Sequence, residues 1–199
     1  MRRTSFADMT CSIARTLEVV GEWWTLLVLR DLFVGLTRFE DICADLGVAT
    51  NVLTDRLATL VEHGLVERRA YQDHPPRFEY VLTRKGRALF PAIAALMRWG
   101  DRWEARGAGP PMMLVHDDCG EVTEAVVVCS RCGGPLESEN VVTIAGPGGR
   151  VGRGTALIGP LLHQRGSALA AAPDGPHGPA GTGKPERRNR RRTAAGGRR

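Results

Sequence analysis

The stretch 38–82 constrains this chain most, because two amphipathic helical runs and two alternating strands follow one another with glycines as stops. RFEDICADL (38–46) has helical periodicity and ends at Gly47. NVLTDRLATLVEH then puts Leu53, Leu57, Leu60 and Val61 on one face and stops at Gly64. Beyond it, Val66, Arg68 and Ala70 alternate with Glu67, Arg69 and Tyr71, and Phe78, Tyr80 and Leu82 alternate with Glu79 and Val81. That period of two is a strand signal. DHPP (73–76), between the strands, carries turn chemistry and no strand propensity.

Helix, tight turn, helix and hairpin make a winged helix-turn-helix candidate. The flanks agree. Ile13, Leu17 and Val20 predict a helix over 12–20 ended by Gly21, and Leu27, Leu29 and Leu32 predict another over 23–33 ahead of Gly35. Thr37 is expected to cap the third helix, with Glu40 completing a capping box. Thr83 is expected to cap a last helix that carries Leu89, Ile93, Leu96, Met97 and Trp103, with Pro91 kinking it. The expected fold class is mainly α with a small β-hairpin wing over 8–106. A short β, zinc-ribbon-like segment (110–144) and a disordered Gly/Pro/Arg-rich tail (145–199) follow.

The tail has almost no aromatic or β-branched residues, so it is expected to bury too little surface to offset chain entropy, with ALIGPLL (156–162) its one apolar foothold. It also explains the charge. The 199 residues carry a formal +5, but 184–199 alone hold eight basic residues and one acid, which leaves −2 for the rest. Global charge is therefore weak evidence for a nucleic-acid partner, and RRNRRR (187–192) reads equally as a DNA attractant or a solvated end. No apolar run approaches membrane-spanning length and no signal-type apolar region follows Met1-Arg2-Arg3, so a cytoplasmic protein with no membrane partner is expected. GPAGTGK (178–184) lacks a phosphate loop's context: Pro185 stands where Ser or Thr would hold magnesium, and no apolar strand precedes it. GPGGRVGRG (146–154) likewise lacks the strand, helix and acidic partner of a dinucleotide site.

A helix fits the major groove of DNA, where its first turns reach base edges. At the start of the fourth helix, Asn51 offers an amide suited to adenine, Arg56 a fork suited to guanine or phosphate, and Thr54 a small donor and acceptor. Asp55 suits cytosine or would hold Arg56 or another basic residue in place. Arg68, Arg69 and Arg77, with His74 at the tip, would set the wing on phosphate or in the minor groove. Two other readings stay open on the pattern alone: a polar face that merely meets water, and a protein-interaction module that docks a partner.

CSIARTLEVVGEWWTLLVLRDL, TRFEDI, NVLTDRLATLVEHGLVERR, RFEYVLTRKGRAL and ALMRWGDRW, in this order from Cys11 to Trp103, resemble the HxlR-type family of winged helix-turn-helix transcriptional regulators. The resemblance implies a homodimer built on the first and last helices, binding double-stranded DNA as a regulator. Operator occupancy over a promoter would make it a repressor, with activation the alternative. It places operator reading at Thr50, Asn51, Thr54, Asp55 and Arg56, with Arg77 of the wing on flanking DNA. One departure is visible. Family members often carry a capping serine where this chain has Ala49, so Thr50 is a candidate cap instead. The family commonly has a cysteine at the position of Cys11, and some members sense oxidants or electrophiles there. Cys11 is thus a candidate redox sensor for an oxidant or small-molecule inducer, since a helix N-terminus favours thiolate. The other reading of Cys11 is a small residue packed at the dimer interface. Cys43, between Ile42 and Ala44, reads as core.

VHDDCGEVTEAVVVCSRCGGPL is the second informative stretch. His116 and Cys119 are separated by two residues, as are Cys129 and Cys132, and Gly120 and Gly133 follow them. That spacing lets each tight turn aim two side chains at one ion, and three thiolates with one imidazole suit a closed, structural Zn²⁺. A redox-active CxxC pair and unligated cysteines remain the alternatives. Four ligands leave no open coordination position, and no substrate cleft suggests itself, so the chain is not expected to be an enzyme.

Overall fold

The computed structural model of the chain describes residues 5–104, 107 and 109–171. In order these form α1 (Ser12–Val20), α2 (Thr25–Val34), α3 (Phe39–Leu46), α4 (Thr50–Glu62), β1 (Val66–Gln72), β2 (Arg77–Leu82), α5 (Arg84–Arg87), α6 (Phe90–Trp103), β3 (Leu114–His116), β4 (Glu121–Thr123) and α7 (Ile158–Ala171). The chain up to α6 is mainly helical with one antiparallel hairpin, the layout of a winged helix-turn-helix. No helix among the described residues is long and apolar enough to cross a membrane.

α2 is the centre of the core. Val28, Leu29 and Leu32 are buried in it against Ile42 of α3, Leu53, Leu57 and Leu60 of α4, Val66 and Leu82 of the hairpin, and Ile93 of α6. Asp31 is buried with them. Arg30 bonds Asp31 at 2.6 Å and Asp45 of α3 at 2.9 Å, tying α2 to α3. Burial raises the Asp31 carboxyl above its ordinary value and Arg30 opposes the shift.

The helix-turn-helix elbow needs Gly47, whose φ of 60° is the left-handed region that favours glycine. Gly64 plays the same part after α4, with φ 67°, and lets the Leu65 N–H reach back to the Leu60 carbonyl at 2.9 Å. In the hairpin Val66 pairs with Leu82, Arg68 with Tyr80 and Ala70 with Phe78, and the register shifts between Ala70 and Gln72 where Tyr71 is the extra residue. Gln72 closes the tip by donating from Nε2 to the His74 and Pro75 carbonyls at 3.1 and 3.2 Å.

Several local expectations need correction. Thr37 does not cap α3, because its carbonyl accepts from the Tyr80 N–H at 2.7 Å and Arg38 forms a β-bridge with Glu79. The segment is drawn into the wing as a short third strand. No side chain caps α3 or α4, and Thr50 is already the first residue of α4. α2 starts two residues later than expected, at Thr25. Pro91 breaks the last helix in two, since it has no N–H to donate and its ring crowds the preceding turn. α6 restarts with Pro91 in its first turn. Leu96 and Trp103 of α6, with Ile13 and Leu17 of α1, face outward. The tail is not structureless throughout: α7 occupies 158–171, seeded by the ALIGPLL patch. It bonds back through the Ala145 N–H to the Leu162 carbonyl at 3.3 Å, while Arg153 reaches Asp8 at 2.8 Å. The tail residues 172–199, with RRNRRR, lie outside the described residues.

Where β2 ends, Thr83 caps α5 as expected. Its Oγ1 accepts from the Gly86 N–H at 3.1 Å and donates to the Gly64 carbonyl at 2.7 Å, while its own N–H donates to the Leu65 carbonyl at 3.0 Å. Gly86 packs so closely here that a Cβ would stand 2.1 Å from the Leu65 oxygen. Helix propensity alone would reward Gly86→Ala by about 1 kcal/mol. The backbone clash outweighs that, so Gly86→Ala is expected to destabilise by about 1–3 kcal/mol, as overpacking does. A thermal melt that rises in the variant would refute this account of the junction.

Candidate nucleic-acid interface

α4 buries Leu53, Leu57 and Leu60, so its opposite face is set by periodicity: Thr50, Asn51, Thr54 and Asp55 are all exposed on its first turns. Thr54 donates its hydroxyl to the Thr50 carbonyl at 2.8 Å, which leaves its oxygen lone pair and methyl group outward. Asp55 has no ion-pair partner among the described residues. It does not hold Arg56. That guanidinium lies 3.4 Å from Glu22, in the loop before α2, with only 19% of the side chain exposed. Its Nε is buried without a partner. Arg56 therefore ties α4 to the α1–α2 loop, and most of its side chain is covered.

The wing carries the cationic groups. Arg68 lies with its guanidinium 3.5 Å from the Phe78 ring centroid, an arrangement that fixes the side chain while leaving its charge. Arg69 is paired with Glu67 at 2.8 Å, and that pairing raises its pKa. Arg77 and His74 are exposed at the tip. Arg38 is a residue the sequence reading missed. It bridges to Glu79 and places its guanidinium 5.0 Å from the Tyr71 ring centroid, beside the wing. The signal in the sequence was a basic residue immediately before a helix, which is indistinguishable from a solvated start without knowledge of the third strand.

The sequence model of the HxlR-like helix-turn-helix family matches residues 19–108. Rv3095 of Mycobacterium tuberculosis, named an uncharacterized HTH-type transcriptional regulator, is 46% identical over 137 residues, or 69% of this chain and 87% of that protein. This chain belongs to the HxlR-like helix-turn-helix family. It is a DNA-binding transcriptional regulator, and the family consists of regulators rather than enzymes. A Synechocystis HTH-type regulator, sll1512, is 38% identical over 94 residues, covering 47% of this chain and 70% of that one. The solved structure of PA1607, described as a candidate transcription factor, superposes with a TM-score of 0.65 at 37% identity, covering 72% of this chain and all of that one.

Cys11 stands at the N-cap of α1, half-buried and free. Arg15 is turned toward Ser12 Oγ at 3.3 Å, and a cavity of about 170 Å³ separates Cys11 from Ile158, Gly159 and Leu162 of α7. Cys43 is half-buried on α3 and donates to the Val48 carbonyl at 3.1 Å, as a core thiol.

The other cysteines fall into two pairs. His116 and Cys119 meet at the tip of the β3–β4 hairpin, with Nδ1 and Sγ 3.5 Å apart. Cys129 and Cys132 share a second turn, closed by the Gly133 N–H on the Cys129 carbonyl at 2.8 Å. Among the described residues no three His, Cys, Asp or Glu side chains converge on one point, so the expected four-ligand cluster is present as two separate halves. The Cys129 thiol is pulled below the ordinary cysteine value, first by the Arg131 backbone N–H and then by Cys132. In the reduced, metal-free protein, the pH profile of Cys129 alkylation, followed by peptide mass spectrometry, should have its midpoint below the usual thiol range. Cys132→Ala should move that midpoint upward, and an unmoved curve would contradict the shared hydrogen bonding.

Proposed function

We propose that the chain acts as a homodimeric repressor, with α4 in the major groove, the wing on flanking DNA, and operator occupancy blocking a promoter. The observation that carries this reading is the adjacency of an exposed polar first turn on α4 to a wing on which Arg68 and Arg77 are exposed, with Arg38 exposed beside it. Asn51 and Thr54 are assigned to base edges, with Thr50 and Asp55 beside them, and Arg68 and Arg77 to the backbone of flanking DNA. Arg56 is assigned a positioning part, holding α4 through Glu22.

The dimer rests on unpartnered apolar stripes. Ile13 and Leu17 on α1, and Leu96, Trp99 and Trp103 on α6, recur at helical spacing and are exposed, Trp99 by 58% and Trp103 by 65%. Stripes of this kind mark association surfaces. A two-fold dimer would present two α4 helices to half-sites about one helical turn, ~34 Å, apart.

The test is anisotropy with DNA from upstream of the chain's own gene, a scrambled competitor and a salt titration. Asn51→Ala is expected to weaken specific binding by about 1–3 kcal/mol, the worth of one bidentate base contact, and to leave non-specific binding unchanged. Arg77→Ala should weaken all sequences alike and lower the salt slope by about one, the share of a single neutralised phosphate, whereas Arg69→Ala, already neutralised by Glu67, should change it less. Equal losses on specific and scrambled DNA for Asn51→Ala would remove α4 from base reading. A second prediction concerns assembly. Leu96→Glu with Trp99→Glu should convert a dimer to a monomer in sedimentation and cost operator affinity, and an unchanged sedimentation coefficient would exclude α6 as the interface.

A further inference from the structure

Between 110 and 144 no residue is buried, yet the chain makes two closed hairpin turns. Val115, Val122, Val126, Val127, Val128 and Leu136 all stay exposed. Isolated two-stranded hairpins are marginal in water, and segments without a core hold their shape through a metal or a covalent staple. The five cysteines are free.

The two turns are built alike. In each, a ligand-type residue, two intervening residues, a cysteine and a glycine follow in sequence. The Gly120 N–H bonds the His116 carbonyl and the Gly133 N–H bonds the Cys129 carbonyl, both at 2.8 Å. Gly120 and Gly133 have φ of 72° and 74°, a conformation few other residues adopt. The first turn is backed by β3 and β4, the second by a Val128–Pro135 bridge and the Leu136 N–H on the Val127 carbonyl at 3.0 Å. The Arg131 N–H points at Cys129 Sγ from 3.4 Å.

We propose that the two tips together bind one structural zinc ion through His116, Cys119, Cys129 and Cys132 of the same chain. The spacing inside the first half is already that of a ligand pair. With zinc–sulfur near 2.3 Å and zinc–nitrogen near 2.0–2.1 Å at a tetrahedral angle, sulfur and nitrogen lie about 3.6 Å apart. The observed Sγ–Nδ1 separation is 3.5 Å. The far nitrogen of the same ring, Nε2, faces Asp118 at 3.7 Å, the side on which a carboxylate orients a ligating histidine.

The halves stand apart, so binding has to close them. The connection 120–128, nine residues, can extend to about 30 Å. β4 leads away from the first tip and 126–128 leads into the second, so one reversal near Glu124 brings both tips to the same end. Arg98 of α6 holds Glu124 at 3.0 Å between the two arms, a fixed base about which they close. Next to that base, a groove of about 690 Å³ runs between α6 and the segment, lined by Met97, Met112, Met113 and Leu114. Closure would hold the segment against this groove.

The experiment uses the full chain, reduced and stripped of metal, titrated with Co²⁺ and then Zn²⁺ under anaerobic conditions. The expected result is one metal per chain by native mass spectrometry, with the intense visible bands of tetrahedral cobalt on mixed thiolate and imidazole ligands. His116→Ala, Cys119→Ser, Cys129→Ser and Cys132→Ser should each lower zinc affinity by at least about 100-fold, more than loss of an outer-shell partner costs. Far-UV circular dichroism of each variant reports whether the winged part is still folded, and operator binding is read separately. Three outcomes overturn the proposal: no bound metal, one metal per two chains, or binding that survives His116→Ala and Cys119→Ser and so belongs to the CxxC pair alone.

Discussion

A single hydroxyl joins the end of α4 to the end of the hairpin. Thr83 Oγ1 caps α5 and bonds the Gly64 carbonyl, while its backbone N–H takes the Leu65 carbonyl. Those carbonyls belong to the turn that ends α4, where orphaned acceptors would otherwise be left half-shielded from water. The middle of β2 is held through Thr37 and Arg38, which pair with Tyr80 and Glu79. The wing is thus tied to both helices of the helix-turn-helix, and the angle between α4 and the wing is not free to vary. Gly86 is required at this junction because the backbone of Leu65 occupies the space a side chain would need.

The two described parts of the chain are held by different physics. Up to α6 a contiguous apolar core around α2 supplies the stability, and polar side chains are placed by what the core leaves outside. Beyond Pro110 no residue is buried as far as Ile144, and the contacts of that segment are hydrogen-bonded turns and the Arg98–Glu124 pair. The segment just before α7 adds a contact to the N-terminal residues, Arg153 pairing with Asp8.

Much of this was legible in the sequence where the signal was local. Glycine stops gave the ends of α1, α2, α3 and α4, and period-two alternation gave both strands of the wing. The cap at Thr83 was readable because its partner, Gly86, lies three residues on. The failures share a cause: a distant partner took over a local preference. Thr37 looked like a cap until β2 claimed its carbonyl, and Asp55 does not hold Arg56 because Glu22, far earlier in the chain, lies against that guanidinium. Pro91 was recognised as an interruption, but the restart of the helix behind it depends on Ile93 and Ala94 reaching the core. The composition of the tail hid α7, since a short apolar patch suffices once a neighbouring segment offers a surface. At the candidate interface, the exposure of Thr50, Asn51, Thr54 and Asp55 followed from the burial of Leu53 and Leu57. Arg38 did not, because its place depends on a strand one residue long.

The extra residue in the hairpin, Tyr71, has a consequence for how such a protein can change. Register from Val66 to Ala70 is pinned at its base by two buried side chains, Val66 and Leu82. Everything past the bulge, from Gln72 through the tip to Arg77, is anchored by nothing in the core. Residues can be gained or lost there without flipping the inward and outward faces below. The reach of the wing is therefore an evolutionary variable separate from the helix beside it, and relatives can alter their grip on flanking DNA while the elbow and its core stay as they are.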